Sequence, residues 1–289
     1  MKFLFFVFFF LASLNAFNVE ISSSEVANGK TVLFVLEKED GVKYKSLFYK
    51  DKHYKVLQHP LNQSKMYVLL PISYYEKPSD KKVKLLYQEK KKEKEKTYFL
   101  RVKDGKYKKE SIQVSSSKVH LNAKDKKRAS KEYSEAMKVY NSVSPKSYIS
   151  SEFIAPMTSK ITSSFGKARV YNDTLKGYHS GTDYRAKVGE RVKTVNDGVV
   201  ALVKDRFYSG GSVVVDHGQG IYTCYFHLSE FKVKKGERVK KGQVIGLSGK
   251  SGRVTGPHLH FAARVNGVQV DPLQLMALMN ENILNKDTK

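Results

Sequence analysis

The first half of the chain alternates apolar and polar residues with the two-residue period of β-strands. Short runs rich in β-branched and aromatic residues are separated by turn signals such as Asp40-Gly41 and Asp104-Gly105, a pattern typical of antiparallel strands joined by tight turns. Residues 17–121 are therefore predicted to form a small β-sandwich-like domain of immunoglobulin-like type, or two smaller β units. The predicted strands cover 31–36, 44–49, 66–72, 82–87, 97–102 and 111–114.

The period of the pattern changes after residue 121. Apolar residues now recur every three or four positions, which predicts an amphipathic helix with one buried face. Pro145 ends this pattern and polar residues follow it, so a helical connector over 122–150 is predicted between two domains. The predicted buried face carries Ala129, Tyr133, Ala136, Met137 and Tyr140.

Residues 151–275 return to short apolar runs, now punctuated by many glycines. Short strands with tight glycine corners predict a β-roll or a small barrel-like antiparallel sheet. An internal repeat is visible, because the segment 189–193 (Gly-Glu-Arg-Val-Lys) returns at 236–240. Apolar residues of 273–284 have helical spacing, and this segment is predicted to dock on the sheet. Residues 276–289 are assigned to a C-terminal tail.

The N-terminus has the features of an export signal. Residues 3–14 are almost wholly apolar and follow Met1-Lys2, but they are too few to span a bilayer, which takes roughly 20 apolar residues. With the small residue Ala16 at the cleavage position, residues 1–16 are predicted to be a secretory signal peptide. The only cysteine is Cys224, so no intrachain disulfide can form, and export without disulfides suits a bacterial periplasm at least as well as the external medium.

The charge of the chain limits its partners. Lysine and arginine number 52 against 28 acidic residues, which gives a net charge of +24. A surface this basic attracts polyanions. Because the predicted signal peptide argues against nucleic acid, we expect an anionic cell-wall or membrane surface; the sequence makes no prediction about oligomeric state.

Candidate chemistry is concentrated in three histidine motifs of the second half. They are His179-x-x-x-Asp183, Tyr225-Phe226-His227-Leu228 and Gly256-Pro257-His258-Leu259-His260. Histidines at i and i+2 of a strand point to the same face. Imidazole and carboxylate are ligands of catalytic zinc, which takes three protein ligands and leaves one position for water. His217, at an apparent strand end before a glycine, is interpreted as a turn residue, and Cys224 as inert.

These motifs, in this order and preceded by Ser163-Ser164-Phe165-Gly166, resemble those of the M23 (LytM/lysostaphin-type) peptidoglycan metallopeptidases over about 153–275. The whole layout is similar to that of the periplasmic members that trim peptidoglycan and set cell shape in helical Gram-negative bacteria. The resemblance implies a LytM-type antiparallel β-sheet domain. It also implies that His179, Asp183 and His260 bind one zinc ion per chain, while His227 and His258 form a catalytic pair.

The substrate that the resemblance implies is the peptidoglycan stem peptide. The expected activities are D,D-endopeptidase cleavage of D-Ala–diaminopimelate cross-links and D,D-carboxypeptidase trimming, with the N-terminal β region shielding the groove. Arg169 and Lys176 are weaker candidates for contact with a substrate carboxylate. Two alternatives remain open: a non-catalytic LytM-type activator of another wall hydrolase, and a lipoyl- or biotinyl-type carrier suggested by the repeated Gly-Glu-Arg-Val segments.

Overall fold

The computed structural model describes residues 17–114, 121–173 and 175–285. The predicted signal peptide, residues 1–16, lies outside these residues. The mainly β prediction is confirmed: an N-terminal β-sandwich, a helix and a larger C-terminal sheet follow one another along the chain. In the described part of the chain, every helix is too short or too polar to cross a membrane.

The N-terminal strands form two sheets that pack face to face. One sheet has the order β1-β3-β7-β6 and the other β2-β9-β8-β4-β5, and side chains of both sheets build one apolar core, with Leu36, Leu47, Leu85 and Leu100 each at most 1% exposed. The strands are β1 (Val19–Ile21), β2 (Glu25–Ala27), β3 (Thr31–Glu37), β4 (Val42–Tyr49), β5 (Lys52–Lys55), β6 (Leu57–Gln58), β7 (Lys65–Pro71), β8 (Ser79–Glu89) and β9 (Lys92–Lys103).

Residues 32–36 of strand β3 are all apolar rather than alternating, and the structure shows the reason. Residues 31–36 of this strand are all buried. Val32, Phe34 and Leu36 face the sandwich core, while Leu33 and Val35 belong to the core of the C-terminal domain. The first sheet is therefore covered on both faces, and its outer face is the interface that fixes the sandwich against the C-terminal domain.

The strand predicted at 111–114 differs from the structure in position and in partner. Strand β10 covers Lys109–Ile112. It does not join the sandwich but pairs in parallel with β12 (Ala168–Tyr171), which in turn pairs with β13 (Leu175–Tyr178). The pattern predicts a strand from local residues, but the partner lies about 60 residues further on and leaves no local signal.

The predicted connector contains helix α1 (Ala123–Tyr140), which begins at Asn122, whose side chain accepts a hydrogen bond from the Asp125 N–H. The predicted buried face is partly wrong. Tyr133 is 61% exposed, whereas Glu132 is buried and accepts hydrogen bonds from Arg128 Nε and the Phe207 N–H, both at 2.7 Å. The buried residues are 132, 136 and 140, which are four positions apart and therefore lie on one side of the helix. Counting apolar residues alone does not identify this side, because one of the three is a glutamate.

The C-terminal domain is one large antiparallel sheet with the main strand order β11-β14-β21-β18-β17-β16-β19. Strands β15 and β20 pair with each other, β20 also pairs with β18, and β22 pairs with β21. The strands are β11 (Ile161–Ser163), β14 (Thr182–Arg185), β15 (Arg191–Lys193), β16 (Gly198–Arg206), β17 (Gly210–Asp216), β18 (Ile221–Phe231), β19 (Arg238–Val239), β20 (Val244–Ser248), β21 (His258–Val265) and β22 (Val268–Val270).

Helix α2 (Pro272–Met279) closes the C-terminal domain and continues into one π-helical turn, Asn280–Leu284. Leu278, Met279, Ile283 and Leu284 are buried in the main core. The predicted boundary at residue 275 therefore falls inside a packed helix, and residues 276–284 are part of the domain rather than a separate tail. The predicted docking of this segment agrees with the structure.

Candidate metal centre and catalytic histidines

The pairing of two neighbouring strands brings the first and third histidine motifs together. Strands β14 and β21 are antiparallel, and their register places Asp183 directly opposite His260. His179 precedes β14 by one tight turn, and its backbone N–H donates to the Lys167 carbonyl at 2.8 Å. Since opposite residues on one sheet face lie about 4.5–5.5 Å apart at Cβ, this register places the side chains of Asp183 and His260 side by side.

The three side chains converge on one point. Asp183 Oδ1 lies 2.8 Å from His179 Nε2 and 2.8 Å from His260 Nδ1, and the two nitrogens are 3.0 Å apart. His179 is completely buried, and Asp183 and His260 are each 7% exposed. A tetrahedral zinc ion with bonds of about 2.0–2.1 Å has ligand atoms about 3.3 Å apart, so the triangle has nearly the size that such an ion needs.

The chemistry of these groups also fits a cation. His179 Nδ1 lies 2.8 Å from the Ser164 carbonyl, which can only accept, so a neutral His179 carries its proton on Nδ1 and a lone pair on Nε2. That lone pair faces a carboxylate oxygen, and two acceptors at this distance repel each other unless a proton or a metal ion lies between them. A metal-binding histidine usually donates a hydrogen bond from its other ring nitrogen, for example to a backbone carbonyl, and this bond fixes the orientation of the ring.

The protonation states at neutral pH are those that a metal requires. Burial lowers the pKa of His260 to about 4, although Asp183 opposes the shift. Burial alone would raise the pKa of the Asp183 carboxyl, but its contacts with His179 and His260 bring it well below its usual range. The cluster therefore offers a carboxylate and a neutral imidazole without first losing protons.

His227 is held at the edge of this cluster by an irregular strand. Its φ of +64° lies in the left-handed region, at a point where β18 stops pairing with β21 and begins pairing with β20. The His227 N–H donates to the Ser209 carbonyl at 2.9 Å, and Nδ1 lies 2.8 Å from the Ser251 carbonyl. Strained backbone of this kind costs stability and is concentrated at functional sites.

His258 lies beside His227, with 4.8 Å between the ring centroids. Its Nδ1 is 2.8 Å from the Gly256 carbonyl, and its Nε2 is 3.7 Å from Asp183 Oδ1. Both rings therefore donate through Nδ1 to backbone carbonyls and keep Nε2 as a proton acceptor. Burial, followed by the neighbouring His260 and His258, lowers the pKa of His227 well below its usual range. All five site residues predicted from the motifs lie at one place.

Two further residues support the cluster and were not predicted. Gly181 lies against His260, so that a Cβ at this position would be 2.7 Å from His260 Nε2 and closer still to the Phe261 carbonyl. The Phe226 ring stacks on His260, with centroids 5.7 Å apart and an interplanar angle of 3°. The role of Gly181 could have been predicted from its position midway between His179 and Asp183. The stacking of Phe226 on His260 could not, because it depends on how β18 pairs with β21.

His217 and Cys224 lie away from this cluster. His217 directly follows β17, where the chain turns toward β18, and it is fully buried; its ring nitrogens lie 2.7 Å from the Asp197 carbonyl and 2.8 Å from Thr223 Oγ1. Cys224 is buried, and burial raises the pKa of its thiol, which disfavours the nucleophilic thiolate. Both residues lie outside the cluster, and His217 lies at a strand end beside a turn, as the sequence predicts.

The cluster opens into a groove of about 580 Å³. One wall is the segment before and at the start of β21, and the other consists of β10 and the residues around β11 and β12. The groove is lined by Glu110, Ser111, Ile112, Gln113, Thr162, Ser163, Lys167, Arg169, Asp183, Thr255, Gly256, Pro257 and His258.

Comparison with known proteins agrees with this geometry. Residues 177–272 match the family model of Peptidase family M23. The chain is 42% identical over 135 residues to Peptidoglycan DD-endopeptidase ShyA of Vibrio cholerae, which covers 46% of this chain and 31% of ShyA. It is 42% identical over 97 residues to DD-carboxypeptidase/endopeptidase Mpg of Neisseria meningitidis, covering 34% of this chain and 22% of Mpg.

The structural likeness extends beyond the matched domain. A crystal structure of a Pseudomonas aeruginosa protein assigned to peptidase M23 is 27% identical, with a TM-score of 0.64, and the match covers 84% of this chain and 92% of that one. By contrast, the chain spans less than a third of the length of the curated relatives named above.

The sheet and its buried histidine–carboxylate cluster have the arrangement expected of a metallopeptidase site. The family match covers residues 177–272, which are similar to the domain of Peptidase family M23. This match includes both copies of the repeated Gly-Glu-Arg-Val segment and favours a peptidase over the lipoyl-type carrier.

Proposed function

We propose that the protein is a zinc-dependent peptidoglycan hydrolase that cleaves stem-peptide bonds, as a D,D-endopeptidase on D-Ala–diaminopimelate cross-links, as a D,D-carboxypeptidase, or as both. The observation that carries the proposal is the convergence of His179, Asp183 and His260 beside His227 and His258, with Asp183 and His258 lining the groove. The named activities of the relatives ShyA and Mpg support both reactions.

The zinc ion would be held by His179, Asp183 and His260, whose ligand atoms all lie within 4.8 Å of one another. Imidazole and carboxylate together suit zinc better than calcium or magnesium, which prefer oxygen ligands alone. When bound, such an ion supplies a water molecule of lowered pKa and polarises the carbonyl of the scissile peptide bond.

His227 and His258 supply the proton transfers. Each ring is anchored through Nδ1, to Ser251 and Gly256 respectively, so each Nε2 is free to accept a proton from the attacking water. Once protonated, the same nitrogens stabilise the negative charge that develops on the carbonyl oxygen and deliver a proton to the leaving amine. The two rings lie side by side and act as a pair.

The rest of the chain fits this substrate. A net charge of +24 attracts a wall that carries free stem-peptide carboxylates. Together with the sequence of residues 1–16, this supports export to the periplasm and a role in cell-wall remodelling and cell shape.

The experiment is digestion of purified peptidoglycan, with the products identified by mass spectrometry. We expect the mature protein to release uncross-linked muropeptides and to shorten pentapeptides, to stop when a chelator is added, and to resume when zinc is restored. Digestion that is unaffected by the chelator would reject the zinc mechanism. Failure of the zinc-loaded protein to digest either substrate would favour the non-catalytic activator.

A further inference from the structure

Strand β10 places a carboxylate from the segment after the sandwich into the groove. Glu110 accepts a hydrogen bond from Arg169 Nε at 2.6 Å and lies 3.2 Å from Lys167 Nζ. The same guanidinium reaches the cluster, because Arg169 Nη2 lies 3.4 Å from Asp183 Oδ2. Arg169 therefore links Glu110 directly to one of the three converging residues.

The two cations form a prepared anion site. The side chains of Arg169 and Lys167 are only 14% and 25% exposed, and that of Glu110 is 24% exposed. Burial alone would raise the pKa of Glu110, but Arg169 and Lys167 lower it below its usual value, so the carboxylate is ionised at neutral pH. Two partly desolvated cations that face one groove bind a carboxylate strongly, and a guanidinium does so with defined orientation.

Both substrates of the proposed function carry such a group in one place. In a pentapeptide stem, the residue that donates the scissile nitrogen is a terminal D-Ala with a free α-carboxylate. In a D-Ala–diaminopimelate cross-link, the scissile nitrogen is attached to the D-centre of diaminopimelate, whose carboxylate is also free. In each case the carboxylate is two bonds from the scissile nitrogen, and Arg169 is in direct contact with the cluster at which that bond must lie.

We propose that Lys167 and Arg169 form the subsite for the free carboxylate on the leaving-amine side of the scissile bond, and that Glu110 occupies this subsite in the free protein. The inference rests on the proposed function, because it names the substrate group that the same groove recognises. It explains how one site accepts both a cross-linked and a terminal substrate. A substrate must displace Glu110, so Glu110 weakens the binding of substrates that carry this carboxylate.

The test uses the zinc-loaded protein and a stem pentapeptide whose last amide is replaced by an uncleavable CH2–NH bond, so that affinity is measured without turnover. The ligand is prepared with a free terminal carboxylate and as the terminal carboxamide, and both are titrated by calorimetry. We expect the wild-type protein to prefer the carboxylate form. Lys167→Gln is expected to lose about tenfold of this preference, as for the removal of one charge-assisted hydrogen bond. Glu110→Gln is expected to bind the carboxylate form several-fold more tightly and the carboxamide unchanged.

The matched control is Glu95→Gln, which removes an acidic group that is paired with Lys84 on the β8–β9 hairpin, and it should change neither affinity. The subsite would be rejected if the wild-type protein bound the two ligands equally. It would also be rejected if Lys167→Gln lowered the affinity for both ligands by the same factor. If Glu110 serves only to hold β10 in place, Glu110→Gln lowers the melting temperature without changing the preference, and the occupancy of the subsite by Glu110 is rejected.

The failure of this inference is distinguishable from the failure of the proposed function. A protein that prefers the carboxylate ligand but cleaves no muropeptide would retain the subsite and contradict the peptidase proposal. A protein that cleaves pentapeptides but binds the two ligands equally would retain the peptidase proposal and contradict the subsite.

Discussion

The β-sandwich and the peptidase domain are both built from antiparallel strands, but they bury different kinds of groups. The sandwich core consists of apolar side chains from two sheets, and its buried carboxylate, Glu76, is paired with Lys50 and Lys81 at 2.6 and 2.7 Å. In the peptidase domain, Oδ2 of the buried Asp183 lies 3.4 Å from Arg169 Nη2, but its Oδ1 faces two imidazole nitrogens instead of a second cation. Burying polar groups that lack a partner costs stability. A carboxylate with a cation on each oxygen, as in Glu76, therefore indicates a structural ion pair, whereas a carboxylate oxygen that faces two neutral imidazoles indicates a site for an added cation.

The largest expected effect comes from removing a ligand in the peptidase domain. His260→Ala is expected to lose bound zinc and to reduce muropeptide cleavage on the order of 10³-fold, because a two-ligand site cannot hold the ion in place. The measurement is zinc content by atomic emission together with product formation. His53→Ala, which removes a histidine of the sandwich strand β5, is the control and should change neither; unchanged zinc in His260→Ala would refute the assignment.

A deletion in the sandwich core should affect stability and not chemistry. Leu85 is 1% exposed, so Leu85→Ala is expected to lower the free energy of unfolding by about 2–5 kcal/mol through lost burial and a cavity. Denaturant unfolding measures this, and zinc content and turnover of the folded protein should not change. Phe99→Ala, on the same hairpin but 69% exposed, should cost far less. Loss of zinc from folded Leu85→Ala would show that the two regions are not separable in this way.

The buried His217 of the peptidase domain makes stability depend on pH. Burial lowers its pKa to about 4, so between this value and the unfolded pKa of about 6.5 the unfolded chain binds more protons than the folded one. Stability is therefore complete above pH 6.5 and falls as the pH drops toward 4, by about 3 kcal/mol in all. The prediction is a smaller loss between pH 7 and 4 in His217→Gln, measured by denaturant unfolding at each pH. Identical slopes in the two proteins would refute it.

The smallest expected effect concerns the close approach at Gly181. Gly181→Ala places a Cβ against His260 and the Phe261 carbonyl, which is expected to cost about 1–3 kcal/mol of stability by overpacking. Zinc affinity should fall roughly 10–100-fold, as it does when the support of a ligand is disturbed. Both are measured by zinc titration and denaturant unfolding. The control is Gly177→Ala, whose added Cβ would be 3.7 Å from its nearest neighbour, in Tyr171; equal effects in the two variants would contradict the argument.

The sequence predicts most of the separate strands and the residue types that the structure brings together in the cluster, because both depend on local pattern. Alternation identifies the sandwich strands, and the spacing of His179, Asp183, His258 and His260 identifies the ligand types. Pairing between distant segments leaves no such signal. The parallel pairing of β10 with β12, and with it the contact of Glu110 with Arg169, therefore could not be predicted.

Helix α1 shows the same limit of prediction from sequence, because its buried face depends on contacts with distant residues. Tyr133 and Glu132 are neighbours, and which of them is buried depends on how α1 rests on the sheet. The carboxylate of Glu132 is buried because it accepts hydrogen bonds from Arg128 and from the Phe207 backbone. Counting apolar residues cannot anticipate a buried carboxylate when one of its partners, the Phe207 N–H, comes from outside the helix. The left-handed φ of His227 is also set by the switch of strand partners around it.

The most direct test of the central claim is a crystal of the zinc-loaded protein measured on both sides of the zinc absorption edge. We expect one anomalous peak in the peptidase domain, within about 2.0–2.2 Å of His179 Nε2, Asp183 Oδ1 and His260 Nδ1. A peak elsewhere, or none in a crystal that contains stoichiometric zinc, would contradict the claim that these three residues form the metal centre.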